Sequence, residues 1–389
     1  MKVDKNKLLH WVLLIISAAN IFISMPFRLF KKRDKNRVVF FYQIDGNVKA
    51  FVDYIQSNSK IGVEAFFLAF PEYLGAYKGK HNLPTLNMLS LRDMIKVARS
   101  DVVITNYGAL TLRYYAKFTG IKFVDVWHGL PMLKNQTPKI MGYLNYYSEV
   151  WVSSESMKKF YVNRYKLKCK IVVTGYARVD RLYRGDYDVQ KLRFKYDLPG
   201  KKIILIAPTW RHDNPDRSVL PFGLKPDELA LRLNSLAEAT NSFVIFRAHM
   251  LSGDAGVKSK LKNIKAMPSN KYPFTEELLA VSDLVVTDWS SLVFDFLATS
   301  RPIIFINGHP PFTGPKGAQR FTPTNRFGPI VNNFDEFSVV VKDYLVNPTH
   351  FNKKFYEKIQ TTTGIAYGDT LDGESTKRYY NRLKYLLES

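Results

Sequence analysis

The chain has 389 residues, enough for two domains of ordinary size, and a hydrophobic share of 46% supplies a large core and excludes disordered or fibrous classes. A formal net charge of +23 attracts polyanions, and the single cysteine, Cys169, excludes an internal disulfide or a multi-cysteine zinc site and suits a reducing compartment. The basic residues are spread along the chain with no zinc finger, RNA-binding signature or long basic tract, so no nucleic acid is expected; an anionic membrane surface together with an anionic substrate fits better.

Leu8–Ile23 is strongly apolar and reads as a membrane-associated helix. It is shorter than the ~20 residues of a spanning helix and carries His10 and Asn20. An in-plane helix is therefore preferred over a span, with an ordinary core helix as the alternative. Arg28, Lys31, Lys32, Arg33, Lys35 and Arg37 follow and suit anionic headgroups. Basic residues after the apolar run place the bulk of the protein on the cytoplasmic face of the membrane. Residues 1–37 form this segment.

From residue 38 short apolar runs alternate with amphipathic stretches. Strands are predicted at Val38–Tyr42, Gly62–Ala69, Val102–Asn106, Lys122–Val126, Val150–Ser153 and Ile171–Thr174, with helices at Asn47–Gln56, Leu89–Ala98, Leu110–Phe118 and Met157–Tyr165. The second half repeats the pattern, with strands at Lys202–Ala207, Phe243–Arg247, Leu284–Thr287 and Pro302–Ile306. Its helices are Glu228–Ala239, Thr275–Val281, Leu292–Ala298, Phe334–Val346 and Lys377–Leu387. Asn307–Pro329, rich in Gly and Pro, reads as a loop. Strand–helix alternation implies parallel sheets covered on both faces, hence an α/β protein of two doubly wound, Rossmann-like lobes. A division near Asp186–Leu198 gives domains 38–190 and 191–389. Ligands of such sheets bind at the carboxyl ends of the strands, where the polar clusters of this sequence gather.

Trp127-His128-Gly129-Leu130-Pro131 leaves one strand end, where an imidazole can take a proton from a hydroxyl; a packed turn histidine is the bland alternative. Asp125 alternates onto the face of Trp127 and is not the expected partner of His128. Gly175 breaks a strand and Arg178 follows in a loop, free to fork onto phosphate or to pair with Asp180. Pro208 fixes a turn, and Thr209 and Arg211 can donate to phosphate. Arg247 and His249 fall on one face after a strand, a costly cationic pair unless an anion lies between them. Ser290 and Ser291 open a helix directly after a buried strand, offering amides and hydroxyls to an anion or capping the helix; Asp295 lies about one turn on. No P-loop, dinucleotide fingerprint, zinc motif or serine elbow is present, and no facing carboxylates suggest a metal; no cofactor is expected.

In this order, Trp127–Gly129 (WHG), Gly175–Asp180 (GYARVD), Ala207–Arg211 (APTWR), Arg247–His249 (RAH) and Ser282–Phe296 (SDLVVTDWSSLVFDF) resemble the CDP-glycerol glycerophosphotransferase family, which builds wall teichoic acid and some capsules. The ending Tyr367–Ser375 resembles that family too. The resemblance implies a GT-B-like fold with an acceptor-side N-terminal lobe and a CDP-donor-binding C-terminal lobe. It implies transfer of glycerol phosphate, or a related polyol phosphate, from CDP-glycerol or another CDP-polyol to a lipid-linked or polymeric polyol-phosphate acceptor, with release of CMP. It makes His128 the base and His249 a second catalytic candidate. Donor contacts carried over are Trp127, Gly129, Leu130, Pro131, Arg178, Pro208, Thr209, Arg247, Ser290, Ser291 and Asp295. Ala177 and Val179 depart from the family's usual proline and asparagine around the arginine, which leaves that loop's geometry and the donor polyol open. No large extra domain for holding a polymer is apparent, which points toward a primase or short-chain transferase. The rivals are a GT-B glycosyltransferase using a nucleotide sugar and a non-enzymatic polyanion-binding membrane protein.

Overall fold

The structure is a computed structural model that describes residues 8–30, 36–58, 62–132, 138–209, 220–247, 261–308 and 326–389. The chain forms two compact units: Met1–His128 with Pro138–Arg178 and Asp372–Ser389, and Gly129–Thr137 with Val179–Leu371. These bounds differ from a single cut near Asp186–Leu198. The last helix, Ser375–Glu388, returns to the first unit because it carries partners for it. Arg382 forks onto the buried carboxylate of Glu149, which also accepts from Trp151 Nε1 at 2.8 Å. Lys122 Nζ donates to the Leu386 carbonyl at 2.6 Å.

The first unit carries β1 (Arg37–Phe41), β2 (Glu64–Ala69), β3 (Thr85–Asn87), β4 (Val102–Thr105), β5 (Lys122–Asp125), β6 (Glu149–Val152) and β7 (Lys170–Val173). Among the described residues these make a seven-stranded, wholly parallel sheet in the order β3-β2-β1-β4-β5-β6-β7. The second unit carries β8 (Lys202–Ile206), β9 (Ser242–Phe246), β10 (Ile264–Ala266), β11 (Leu284–Thr287), β12 (Ile303–Ile306) and β13 (Ile330–Val331). Its order is β10-β9-β8-β11-β12-β13, again all parallel. Continuous runs such as Val38–Phe41 and Ile203–Ile206 are buried on both faces, as helix-covered parallel strands must be. Each sheet reverses its winding once, between β1 and β4 in one unit and between β8 and β11 in the other.

The expected strands are all present within a residue or two of their predicted bounds. The edge strands β3, β10 and β13 were not foreseen, because two or three residues carry no readable apolar run. Helix Pro348–Ala366 was also missed. Among its nineteen residues only Phe351, Thr362 and Ala366 are buried, so it lacks a continuous apolar face. Arg178 lies in helix Ala177–Arg184, not in a loop. In the expected loop Asn307–Pro329, the described residues 307–308 and 326–329 contain no helix or strand, and the remainder lies outside the described residues.

Helix Leu8–Ser24 continues through a 3-10 turn, Met25–Arg28, and this segment is long and apolar enough to cross a membrane by length and composition. Its buried face, Ser17, Asn20, Ile21 and Ser24, packs into the first unit. Asn20 Nδ2 donates to the Met88 carbonyl at 3.3 Å and Ser24 Oγ meets Tyr115 Oη. Leu8, Leu9, Ile15, Phe22 and Ile23 are exposed. Two of the expected headgroup ligands are engaged by protein instead. Arg28 donates to the carbonyls of Ser100 and Thr119, and Arg37 pairs with Glu64 at 2.7 Å. Lys31, Lys32, Arg33 and Lys35 lie outside the described residues.

Candidate active site

In the first unit the carboxyl ends of β1, β4, β5 and β7 bring together Asp45, Asn106, Tyr107, His128 and Arg178. After β5 the buried Asp125 accepts from the Trp127 amide at 2.7 Å, and Trp127 adopts a left-handed φ of 50°. That conformation is costly for a bulky residue and is held by Asn47, whose Nδ2 donates to the carbonyls of Val126 and Trp127 at 3.0 and 3.1 Å. The turn carries His128 out of the sheet as an exposed side chain. Its Nδ1 lies 2.9 Å from the Asn106 carbonyl, and its ring stacks on Tyr107 at 4.4 Å and 16°. A carbonyl only accepts, so Nδ1 carries the hydrogen and Nε2 of the neutral ring carries the lone pair. The residue on Nδ1 of His128 is thus Asn106, not Asp125.

Asp45 organises the same corner. Tyr107 Oη donates to its Oδ2 at 2.9 Å, and Asn106 Nδ2 reaches both its Oδ1 and its carbonyl. Burial raises the Asp45 carboxyl above its ordinary value, while the hydrogen bonds of Tyr107 and Asn106 and the charge of Arg178 pull it back. Arg178 is buried, with its amide on Asn47 Oδ1 at 3.2 Å and its guanidinium 4.9 Å from the Tyr176 ring. Just before it, Gly175 (φ 78°) has no room for a Cβ, because Ser375 of the last helix packs against it. Burial pushes Asp125 up to about 7, against the pull of the Trp127 and Gly108 amides.

In the second unit Asp288, at the end of β11, ties that strand to β8. Its Oδ1 accepts from the amides of Thr209 at 2.7 Å and Trp289 at 2.6 Å. Thr209 is buried, and its Oγ1 has no hydrogen-bond partner among the described residues. Arg326 donates to the Asp288 carbonyl and lies 4.4 Å from the Trp289 ring and 4.5 Å from that of Phe305. Leu130 and Pro131 are buried, Pro208 partly so. A Cβ on Gly129 would lie 3.0 Å from Ser291 Oγ, a tight contact that a larger residue would relieve only by shifting the serine side chain. Ser291 precedes helix Leu292–Leu297 but makes no side-chain cap bond to it, and Ser290 is partly exposed. Buried Asp295 accepts from Tyr367 Oη at 3.2 Å. Arg247 is buried with its fork on the Tyr272 carbonyl at 2.7 Å and Thr275 Oγ1 at 2.9 Å. Burial lowers its pKa to about 10. His249 and Arg211 lie outside the described residues. Among those residues no group of three His, Cys, Asp or Glu side chains converges as a metal site.

Motif reading gave no role to Asp45, Asn106, Tyr107, Asp288 or Arg326, although Asp288 stands inside the Ser282–Phe296 motif. The signal for four of them was topological, since they follow the strands that flank the two switch points. Arg326 carried no signal, standing in a stretch that read as loop.

The family model for CDP-Glycerol:Poly(glycerophosphate) glycerophosphotransferase matches residues 22–384. The chain is 31% identical over 198 residues to the teichoic acid ribitol-phosphate polymerase TarL of Staphylococcus aureus, which covers 47% of this chain and 34% of that protein. It therefore spans about a third of that relative's length. It is 26% identical over 320 residues to the teichoic acid glycerol-phosphate transferase of the same organism, covering 73% and 77% of the two chains. The solved wall teichoic acid polymerase TagF superposes with a TM-score of 0.73 at 19% identity, over 98% of this chain and 99% of that one, a likeness of fold. With motifs, fold and a family match running nearly end to end, the chain belongs to the CDP-glycerol:poly(glycerophosphate) glycerophosphotransferase family.

Proposed function

We propose that this protein transfers glycerol phosphate, or a related polyol phosphate, from a CDP-polyol to a hydroxyl of a membrane-linked teichoic-acid or capsular acceptor. His128 Nε2 takes the proton of the acceptor hydroxyl. The oxygen bonds to the β-phosphorus, which bears the polyol, as the bond from that phosphorus to the bridging oxygen breaks. The products are a phosphodiester and CMP. Positioning and charge neutralisation supply most of the rate. The observation that carries this reading is an exposed imidazole at a sheet's carboxyl edge, held as the Nδ1–H tautomer by the Asn106 carbonyl.

The first unit is the acceptor side and the second the CDP-donor side. Thr209, with its buried unsatisfied hydroxyl, is the best supported donor contact, joined by Pro208, Ser290 and Ser291 and by Gly129–Pro131. His249 remains the second catalytic candidate. The fork of Arg247 already serves backbone and Thr275, so that residue supports the donor site as a fixed charge rather than as a clamp. Helix Leu8–Ser24 holds the protein on the cytoplasmic face of the membrane through its exposed apolar residues.

The test is incubation with CDP-glycerol, CDP-ribitol or UDP-sugars and a lipid-linked acceptor. CMP release with a product heavier by one polyol phosphate is expected. UDP release from a nucleotide sugar, with the CDP-polyols untouched, would overturn the assignment in favour of a glycosyltransferase.

A further inference from the structure

We infer that Asp45 is a positioning residue for His128, acting through Asn106 and Tyr107. The inference rests on the reading of His128 as the base. One carboxylate grips two consecutive residues after β4. Its Oδ2 accepts from Tyr107 Oη at 2.9 Å, and Asn106 Nδ2 donates to its Oδ1 and, at 3.1 Å, to its main-chain carbonyl. Those two residues are the ones that define the imidazole. The Asn106 carbonyl takes Nδ1–H at 2.9 Å, and the Tyr107 ring covers one face at 4.4 Å. His128 is exposed, and although the Trp127 ring of the same turn lies 4.6 Å from it, an aromatic ring contact does not choose between the two nitrogens, whereas a carbonyl on Nδ1 does.

The geometry is economical because Asp45 also precedes helix Gly46–Ser57, whose Asn47 holds the strained Trp127 turn from the other side. Tether and turn therefore share one rigid helix start. Asp45 does not touch the reacting hydroxyl in this scheme. It sets which nitrogen faces it.

The experiment combines kinetics with nitrogen NMR of protein labelled at its seven histidines, the His128 signals being assigned by their loss in His128→Gln. In the wild type, above the imidazole pKa, His128 is expected as a single Nδ1–H tautomer. Asp45→Ala should give a mixture of tautomers and a kcat lower on the order of 10- to 100-fold, with the donor KM within about twofold. Tyr107→Phe keeps the stacked ring and loses only the tether, so it should fall between. Asp45→Asn, close in shape, serves if Asp45→Ala does not fold and should lower kcat in the same sense. A His128 that keeps its tautomer and kcat in these variants would overturn the inference. The NMR arm needs no turnover: a chain inactive on every CDP-polyol, with the tautomer still dependent on Asp45, would sink the function and leave the positioning intact.

Discussion

The two switch points share a topology and differ in what they do with charge. In the first unit the strand ends present an exposed histidine, in contact with the Asn106 carbonyl and the Tyr107 ring that Asp45 tethers. In the second, the cations turn inward: Arg247 binds the Tyr272 carbonyl, Arg326 binds the Asp288 carbonyl, and a lone hydroxyl, Thr209 Oγ1, is left without a described partner. On the proposed function, the first edge would move a proton and the second would hold a preset positive field, with Arg247 and Arg326 serving stability and charge together.

This contrast can be broken. The largest expected effect is on the second edge. Arg326→Ala should cost about 2–4 kcal/mol in urea unfolding, since it removes a buried donor packed between two aromatic rings. A loss within error would mean that the inward cations are not structural. Next comes Asp125, whose folded-state pKa is raised. Its contribution to stability is fully present below the ordinary carboxylate value of 3.8 and is lost as pH rises toward about 7. Asp125→Asn should therefore be more stable than wild type by about 1–3 kcal/mol at about pH 8, with the difference vanishing near pH 4. An equal pH dependence in both proteins would contradict a carboxyl whose pKa is raised by burial. Tyr367→Phe, which deprives Asp295 of one donor, should cost about 1 kcal/mol. Smallest of all, His128→Ala should change stability by about 0.5–1 kcal/mol, because the residue is exposed. A large loss there would make the histidine structural and erase the difference between the edges.

Much of this was legible in the residues. Continuous apolar runs such as Lys202–Ala207 specify buried parallel strands, and Trp127-His128-Gly129 marked a strand end on spacing alone. The edge strand Ile330–Val331 was not legible, because two residues make no pattern. Neither was Arg178 in a helix, since the preceding glycine read as a break although its φ of 78° only turns the chain into Ala177–Arg184. The Asp45 corner was hidden for a different reason. Asp45, Asn106 and His128 are far apart in sequence, and only the pairing of β1 beside β4 and β4 beside β5 brings them together. Arg247 shows what residue type leaves out: the sequence marks a candidate phosphate fork, and only the fold shows that Nη1 and Nη2 also donate to the Tyr272 carbonyl and Thr275 Oγ1.

The most direct measurement is CMP release from the CDP-polyol by wild type and His128→Ala, each confirmed folded. A general base at that position predicts a fall on the order of 10²- to 10⁴-fold in the variant. Release at the wild-type rate would contradict the role given to His128.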